Sequence, residues 1–443
     1  MPRLFGTDGV RGVANRDLTP ELALVLGRAA GRVLAPEGGV MVVGRDTRIS
    51  GPMLEGALVA GLCSVGVQPA LVGIVPTPAV AFLAVSERAR GGVVISASHN
   101  PIADNGIKFF SDEGGKLTDA VEEEIERRAE DPATDLPTGI GIAAPHVIGD
   151  ATERYIDHLL GSIGHPLTGL RVVLDCAFGA AFEVAPRAFK EAGAEVIALH
   201  AEPDGTRINV DCGSTSLTAL ARMVVSEGAD LGLAFDGDAD RVLAVDERGE
   251  EVDGDRIMGL AALQLHEAGT LENDVVVVTV MSNMGLRRAL EARGIEVVTA
   301  QVGDRFVAEE MTARGAVLGG EPSGHVIFAR HSRTGDGVLT GFQLAERVTV
   351  TGARLSDQAH LFEPYPQVLI NVPVPTPSAI DDMDGLWEEV RAAEDGLGGS
   401  GRVLLRPSGT EPLVRVMVEA QDEEVARVTA QRLADAVSEH AGG

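Results

Sequence analysis

Cysteine is scarce in this sequence. Its 443 residues include only Cys63, Cys176 and Cys212, an odd number at wide spacing, which does not indicate a disulfide framework or a zinc site. We expect three reduced thiols in the protein core. Long apolar runs are also missing, and the amino terminus lacks the basic and then apolar pattern of a signal peptide. These absences predict a soluble, cytoplasmic protein that makes no membrane contact.

Positive charge is in short supply. The chain has 37 Lys and Arg against 66 Asp and Glu, a formal net charge of −29. Because a nucleic-acid backbone is held mainly by clustered Lys and Arg, this balance argues against nucleic acid as a partner. An anionic small molecule would need positive charge that is gathered locally against the field of the whole protein. Loops that combine glycine with arginine are therefore the informative segments.

Aromatic residues make up only 3% of the chain, so its cores must be built from Val, Leu, Ala and Ile, as in α/β layers. The length predicts roughly two to four domains. Short β-branched runs alternate with helical patterns, and this rhythm restarts twice before it changes after Pro364. We therefore predict three similar α/β domains and a smaller α+β domain at the carboxyl end. The predicted boundaries are 1–152, 153–252, 253–364 and 365–443.

The alternation of strand and helix patterns is typical of parallel sheets. The first helix is expected to begin at Pro20, with Thr19 as its N-cap and Glu21 in its first turn. The strand patterns of the α/β domains cover residues 40–43, 92–95, 170–174, 195–199, 231–235 and 275–280. In the last domain, strands are predicted at 368–374, 403–405 and 413–418, before a helix that begins at Glu423.

A segment with two serines, residues 95–101, follows the strand predicted at 92–95. Its hydroxyls are expected at the carboxyl end of that strand, where open α/β sheets place their chemistry. The alternative is an ordinary polar turn before a proline. The adjacent Ser98 and His99 do not indicate a serine hydrolase, because neighbours in an extended segment point to opposite faces and cannot form a dyad. A different use of the serine is required.

Three carboxylates, Asp236, Asp238 and Asp240, stand at alternate positions directly after an apolar strand. Three such groups converge readily on a hard divalent cation. Together with Glu247 they also match the ligand positions of an EF-hand loop, but Arg241 replaces the obligatory glycine and residues 242–245 continue as a strand. The remaining alternative is a solvated acidic turn.

A glycine loop near the carboxyl end combines backbone donors and two hydroxyls with a guanidinium at each edge. The residues are Arg406, Ser408, Gly409, Thr410 and Arg415. Such a set is typical of a phosphate cradle. A hairpin turn is the alternative, but a turn does not require a cation at both edges.

Another loop, residues 319–325, offers Glu321, Ser323 and His325, a set suited to sugar hydroxyls. A lone histidine is more often structural than catalytic, so His325 depends on its neighbours for this interpretation. Two further loops near the start, residues 5–12 and 44–48, contain glycine and arginine and are also compatible with solvated turns.

Taken together, these segments resemble the α-D-phosphohexomutase superfamily over essentially the whole chain. The motifs that carry the resemblance are residues 6–12, 95–101, 236–241 and 406–412, and they are most similar to the members that act on glucosamine phosphates. The resemblance implies four domains around a central cleft, each contributing one loop. It also implies an isomerase that moves a phosphoryl group through a sugar bisphosphate intermediate.

The resemblance also implies roles for individual residues. Ser98 would be the phosphoserine, and its phosphoryl group and the carboxylates of Asp236, Asp238 and Asp240 would hold one magnesium ion. Arg11 and Lys108 would flank the phosphoryl group in transfer. The sugar would be met by Glu321, Ser323 and His325, the last of these being also a candidate catalytic group, and the non-reacting phosphate by Arg406, Ser408, Gly409, Thr410 and Arg415.

Phosphoryl transfer needs mainly positioning and charge neutralisation, which these loops supply. The expected partners are a hexosamine phosphate, magnesium and an activating sugar bisphosphate; a homodimer stays open. Pro322 stands where these mutases commonly carry Gln, and Phe178 where Asn is common. Because Pro322 removes an amide and a backbone donor from the sugar loop, a mutase of glucose or mannose phosphates is the nearest alternative. A metal-dependent phosphatase and a sugar-phosphate sensor are more distant ones.

Overall fold

The computed structural model describes residues 4–6, 8–131, 134–376, 380, 383–407 and 412–441. The strands are β1 (Val10–Val13), β2 (Gly39–Arg45), β3 (Val67–Ile74), β4 (Gly92–Ile95), β5 (Asp104–Phe110), β6 (His146–Val147), β7 (Arg171–Asp175), β8 (Glu195–Leu199), β9 (Leu231–Phe235), β10 (Val242–Asp246), β11 (Glu251–Val252), β12 (Val275–Thr279), β13 (Glu296–Ala300), β14 (Leu318–Gly320), β15 (Val326–Phe328), β16 (Gln367–Pro373), β17 (Gly401–Pro407) and β18 (Leu413–Ala420).

The helices are α1 (Pro20–Leu34), α2 (Gly51–Ser64), α3 (Thr77–Ser86), α4 (Asp119–Glu130), α5 (Ala151–Leu160), α6 (Ala181–Glu191), α7 (Thr218–Glu227), α8 (Gly254–Glu267), α9 (Met284–Glu291), α10 (Asp304–Arg314), α11 (Gly337–Thr351), α12 (Leu355–Ala359), α13 (Asp384–Leu397) and α14 (Glu423–Ala441). Within the described part of the chain, none of these helices is both long enough and apolar enough to cross a membrane.

The chain divides into two compact units. The first contains the described residues up to Thr279 together with Ile295–His360, and the second contains Val280–Gly294 and the described residues from Leu361 onward. Three sheets lie in the first unit, with strand orders β1-β5-β4-β2-β3-β6, β11-β10-β9-β7-β8 and β13-β12-β14-β15. The three α/β layers predicted from the sequence are therefore present.

All three sheets are mixed, so the expectation of parallel sheets was only partly right. Each sheet contains a run of neighbouring parallel strands. These runs are β4, β2, β3 and β6 in the first sheet, β9, β7 and β8 in the second, and β13, β12 and β14 in the third. The next strand is antiparallel in each case, namely β5 beside β4, β10 beside β9 and β15 beside β14. Only a short loop joins each of these pairs, and a short loop cannot supply the crossover that parallel neighbours need.

The first helix begins where the sequence predicts. Thr19 is the N-cap of α1, and its hydroxyl accepts a hydrogen bond from the Leu22 N–H at 3.3 Å. Helices α1 and α2 then cross very closely. A Cβ at Gly27 would lie 2.4 Å from the Leu58 carbonyl oxygen, so only glycine permits this approach.

The second unit has a single three-stranded antiparallel sheet in the order β16-β18-β17, as far as its described residues extend. Helices α13 and α14 belong to its apolar core, which is built around residues such as Val416 and Leu433. The helix predicted from Glu423 is confirmed, because α14 begins there.

The three cysteines are free thiols. Cys176 and Cys212 are buried, as expected, but Cys63 is only partly buried in α2. The expectation that all three lie in the core was therefore wrong for Cys63.

Candidate active site

Three of the loops singled out in the sequence occupy the same position in their sheets. Each follows a parallel strand and leads into the antiparallel strand beside it. The serine loop joins β4 to β5, the acidic loop joins β9 to β10, and the loop with Glu321 joins β14 to β15. Each functional segment therefore lies at the carboxyl end of a parallel strand.

Ser98 is buried in its loop, with 1% of its surface exposed. Its hydroxyl donates to Asp236 Oδ2 at 2.5 Å, and its N–H donates to Ser96 Oγ at 2.9 Å. Ser98 has a φ of 52°, in the left-handed region, so the assumption of an extended segment was wrong. His99 Nδ1 consequently lies 3.2 Å from Ser98 Oγ.

The contact between Ser98 and His99 does not make a hydrolase dyad. Burial, followed by the charges of Arg241 and Arg11, lowers the pKa of His99 to about 4. A ring with so low a pKa is a weak base, and Ser98 Oγ donates its proton to Asp236 rather than to the imidazole. The hydroxyl thus faces the acidic loop.

Arg48 supports the backbone of the serine loop. Its own loop, residues 44–48, was considered compatible with a solvated turn. That interpretation was wrong, because the side chain is fully buried. Its guanidinium donates to the carbonyl oxygens of Ser98, Asn100, Pro101 and Asp104 at 2.6–2.9 Å.

A buried ion pair completes this support. Arg48 Nε donates to Asp46 Oδ2 at 3.0 Å, and the same carboxylate oxygen accepts from Ser96 Oγ at 2.7 Å. Since Ser96 in turn receives the Ser98 N–H, the guanidinium, the carboxylate and the hydroxyl fix the backbone around Ser98.

The acidic loop brings Asp236, Asp238 and Asp240 together, with at most 4% of any residue exposed. One carboxylate oxygen from each lies within 4.8 Å of the others. Asp238 Oδ1 and Asp240 Oδ1 are buried and have no hydrogen-bond partner among the described residues. Buried oxygens in this state fit a hard divalent cation, which would satisfy them.

The electrostatics of the three carboxylates are uneven. Burial and then the charges of Asp240 and Asp238 raise the pKa of Asp236 well above its ordinary value. Burial acts in the same direction on Asp240, but Lys108 and His325 outweigh it and hold the pKa of Asp240 well below its ordinary value. Full ionisation of all three carboxylates is therefore unfavourable because the negative charges repel one another, and an added cation would relieve that repulsion.

Two cations approach this loop from the paired strands β1 and β5. Lys108 Nζ lies 3.3 Å from Asp238 Oδ2 and 3.5 Å from Asp240 Oδ2. Arg11 pairs with Asp8 and donates to Asn100 Oδ1 at 2.9 Å. Both residues therefore lie beside the acidic and serine loops.

The loop with Glu321, Ser323 and His325 reaches the acidic loop. His325 is buried, and its Nδ1 lies 3.7 Å from Asp240 Oδ2. Ser323 Oγ donates to Glu321 Oε2 at 3.3 Å, and Glu321 Oε1 accepts from the Gly303 N–H at 3.0 Å. The structure therefore brings this loop to the same site as the carboxylates.

His325 experiences opposing influences. Burial lowers its pKa, but Asp240, Asp304 and Glu321 together raise it above the ordinary value. The Gly335 N–H, however, donates to His325 Nε2 at 3.1 Å, which requires a lone pair on that nitrogen. The Gly335 donor therefore opposes the protonation of His325 that the three carboxylates favour.

Two arginines predicted to bind phosphate lie in the second unit. Arg406 on β17 is directly opposite Arg415 on β18. Burial and then the charge of Arg415 lower the pKa of Arg406. Like charges directly opposite each other destabilise a sheet, and a bound anion would remove that cost. The other members of the predicted cradle, Ser408, Gly409 and Thr410, lie outside the described residues.

Four family models match successive parts of the chain, which they cover almost completely. They describe phosphoglucomutase/phosphomannomutase domains: α/β/α domain I at residues 2–135, domain II at 153–249, domain III at 253–365 and the C-terminal domain at 369–436. The chain belongs to the phosphoglucomutase/phosphomannomutase family. It is therefore a sugar-phosphate mutase, which is an isomerase, and the expected superfamily is confirmed.

Curated relatives of this mutase are similar over nearly their whole length. A phosphoglucosamine mutase from Salinispora arenicola is 54% identical, with 99% of this chain and 98% of the relative covered. One from Moorella thermoacetica is 57% identical, with 96% of both covered. Among solved structures, a phosphoglucomutase/phosphomannomutase family protein from Burkholderia thailandensis has a TM-score of 0.85 at 27% identity, with 100% of this chain and 98% of that chain covered.

Several residues of the mutase site escaped the sequence analysis. Arg48 was noticed only as part of a loop. Thr77, at the start of α3, donates to Asp238 Oδ2 at 2.6 Å, and Asp304, at the start of α10, has its Oδ2 3.5 Å from His325 Nε2. Thr77 and Asp304 each lie at a helix start that is far from the acidic loop in sequence, so no local motif marks them.

Proposed function

We propose that this mutase interconverts glucosamine 6-phosphate and glucosamine 1-phosphate through a phosphorylated Ser98. The observation that carries the proposal is the 2.5 Å contact between Ser98 Oγ and Asp236 in a buried acidic loop beside Lys108. A nucleophile, a cation site and positive charge are the components that phosphoryl transfer needs. The sugar is proposed from the printed activity of the relatives, two of which are 54% and 57% identical.

In the proposed reaction, the Oγ–P bond of phosphorylated Ser98 breaks as a sugar hydroxyl oxygen bonds to the same phosphorus, and the proton that the sugar hydroxyl loses ends on Ser98 Oγ. The resulting sugar bisphosphate then reorients so that its two phosphates exchange positions. Its other phosphoryl group is transferred to Ser98 Oγ, which restores the phosphoserine. Arg11 and Lys108 neutralise charge on the phosphoryl group in transfer. A sugar bisphosphate supplied from outside would phosphorylate any Ser98 that has lost its phosphate, which is the proposed activator role.

We propose Mg²⁺ as the cation, one per chain, held by Asp236, Asp238 and Asp240 with an oxygen of the phosphorylated serine. Their oxygen donors suit a hard cation rather than a thiophilic one. When bound, Mg²⁺ would supply electrostatic stabilisation of the phosphoryl oxygens. The chain's own contribution is to keep Asp238 in place through Thr77 and to balance the site through Lys108.

For the sugar, we propose contacts from Glu321, Ser323 and His325. At neutral pH the 2-amino group of the substrate is largely cationic, so an acidic loop favours it over a neutral hydroxyl. Arg406 and Arg415, with Ser408, Gly409 and Thr410, are proposed to hold the phosphate that does not react. The cross-strand arginine pair supports this assignment, because a phosphate dianion is the natural partner of two guanidinium groups.

The domain boundaries given above and a cytoplasmic location also remain proposals. The four matched segments, which begin at residues 2, 153, 253 and 369, support the boundaries. Limited proteolysis should cut first in the mostly exposed segment 134–150, which precedes α5 and the proposed junction after residue 152.

Intact-mass measurement tests the covalent step. Active enzyme should carry one added phosphate that maps to Ser98, and Ser98→Ala should lose both the phosphate and nearly all turnover. Ser226→Ala is a matched control, because that exposed serine on α7 directs its side-chain hydrogen bonds to Met223 in its own helix. Full turnover by Ser98→Ala would rule out the phosphoserine mechanism.

Substrate choice is tested by comparing kcat/KM for glucosamine 6-phosphate, glucose 6-phosphate and mannose 6-phosphate at one concentration of bisphosphate activator. Glucosamine 6-phosphate should give the highest value. An equal or higher value for a neutral sugar would overturn the substrate assignment while leaving the mutase class intact.

A further inference from the structure

A second group of possible metal ligands lies outside the mutase site. Asp175 is the last residue of β7, His200 directly follows β8, and Cys212 follows in the loop after it. Strands β7 and β8 are parallel neighbours, with Asp175 opposite Leu199. Their carboxyl ends therefore meet, and one ligand atom from each of the three side chains lies within 4.8 Å of the other two.

The three side chains differ in exposure in a way that suits an ion site. Asp175 and Cys212 have no exposed surface, whereas 25% of the His200 side chain is exposed. His200 Nδ1 and Asp175 Oδ1 lie 3.0 Å apart. In tetrahedral coordination, ligand atoms about 2.0–2.3 Å from the ion are roughly 3.3–3.8 Å from one another. Small rotations of the side chains would reach this arrangement, and His200 leaves an entry path from solvent.

One oxygen of the Asp175 carboxylate lacks a hydrogen-bond partner among the described residues. Oδ1 accepts from the Ala177 N–H at 3.0 Å and contacts His200. Oδ2 is buried and has no hydrogen-bond partner in the part of the chain that the structure describes, and no Lys or Arg there forms an ion pair with Asp175. An Asp–His hydrogen bond alone would leave this oxygen unsatisfied, whereas a cation bound beside it would satisfy it.

We propose that Asp175, His200 and Cys212 form a second metal site, which binds Zn²⁺. An oxygen, a nitrogen and a sulfur ligand together are typical of zinc, and a thiolate is a poor ligand for Mg²⁺. Three protein ligands leave a fourth position for water on the side of His200. This site is separate from the three carboxylates of the acidic loop, and it does not depend on the proposed substrate.

The ion would fix the segment between His200 and Cys212 against β7. Asn209, within that segment, donates its N–H to the Ala177 carbonyl at 3.1 Å and its side-chain Nδ2 to the Ser98 carbonyl at 2.9 Å. Zinc at this site would therefore support the backbone of the serine loop without touching substrate. Its role is structural.

Cobalt(II) provides a direct probe of the site, because coordination by a thiolate gives a sulfur-to-metal charge-transfer absorption. The full chain is stripped of metal, given excess Mg²⁺ to fill the acidic loop, and titrated with Co²⁺. We expect one equivalent of Co²⁺ to produce this absorption and one equivalent of Zn²⁺ to abolish it. A wild-type chain that shows no such absorption would overturn the proposal.

Two variants test the proposed ligands, and a third serves as the control. His200→Asn and Cys212→Ser should bind at least about tenfold more weakly, since even outer partners of a metal ligand contribute that much. Cys63→Ser, which removes the partly exposed thiol of α2, should behave as wild type. His200 is partly exposed, so His200→Asn should fold, and circular dichroism checks this. Undiminished absorption in either His200→Asn or Cys212→Ser would show that the metal binds elsewhere and would refute the site.

Discussion

Replacing the buried Arg48 with methionine should lower the free energy of unfolding of the first unit and disable the serine loop. Methionine approximates the apolar part of the side chain and removes the guanidinium. Breaking a buried ion pair by deleting one partner costs about 3–5 kcal/mol, because the other charge remains buried. That charge is Asp46, whose side chain is fully buried with Arg48.

The four carbonyls that Arg48 satisfies add to this cost. Each lost hydrogen bond contributes about 1 kcal/mol, and contributions within one network are not additive. We therefore expect a total loss between about 3 and 8 kcal/mol. Burial raises the pKa of Asp46 although Arg48 opposes this effect. Without Arg48 the carboxyl should bind a proton more readily, so the loss should shrink as the pH falls.

The assay is urea unfolding followed by far-UV circular dichroism. Fluorescence is unsuitable because the single tryptophan, Trp387, lies in the second unit. Arg45→Met is the matched control: Arg45 pairs with Glu55 at 3.2 Å but keeps 19% of its side chain exposed, so its loss should cost no more than about 1 kcal/mol. Equal losses for Arg45→Met and Arg48→Met would refute the reasoning.

A milder variant separates stability from catalysis. Arg48→Lys keeps the charge but loses the planar fork that reaches several carbonyls at once. It should fold, with a lower kcat and a nearly unchanged KM, because the serine loop loses its position while the substrate contacts remain. Unchanged kcat in Arg48→Lys would show that the fork does not position Ser98.

Three further predictions concern other parts of the first unit. Gly27→Ala should destabilise the protein by about 2 kcal/mol, because its Cβ would meet a backbone oxygen at 2.4 Å, whereas Gly56→Ala in α2, with nothing within 4 Å, should be neutral or stabilising in thermal unfolding. Burial raises the pKa of Asp336 to about 6 from 3.8, so the free energy of unfolding of the wild type should fall as the pH rises between these two values. Between pH 4 and 7, the free energy of unfolding of Asp336→Asn in urea should therefore rise by about 3 kcal/mol relative to that of the wild type. A difference between the two proteins that does not change with pH would contradict this. Asp238→Ala should lose at least about 100-fold in kcat and its response to Mg²⁺, and normal Mg²⁺-dependent turnover would remove Asp238 from the metal site.

The sequence was sufficient where function lies in a short run beside a strand. Asp236, Asp238 and Asp240 follow β9 directly, and three closely spaced carboxylates were enough to indicate a cation site. Ser98 was found in the same way, but its backbone conformation was not. A left-handed φ of 52° at a serine depends on the buried guanidinium that holds the loop, and no local pattern reports that contact.

Sites formed by residues that are distant along the chain could not be predicted from the sequence. The residues of the proposed zinc site, Asp175, His200 and Cys212, are separated by 25 and 12 positions and are of three different types, so metal-ligand spacing rules did not detect them. The parallel-sheet prediction was incomplete for a related reason. It took account of the helical crossovers but not of the short loops that return β5, β10 and β15 beside the preceding strands.

The shared position of the three hairpin loops separates the chemical tasks of the enzyme. Each loop is anchored at both ends by a strand pair of its own sheet, so its residues can be exchanged without altering the strands that carry the other two. The loop between β14 and β15 is the exception to this independence, because His325 Nδ1 lies 3.7 Å from Asp240 Oδ2. Under the proposed roles, a change of sugar is best engineered at Glu321 and Ser323, with His325 kept so that the acidic loop is not disturbed.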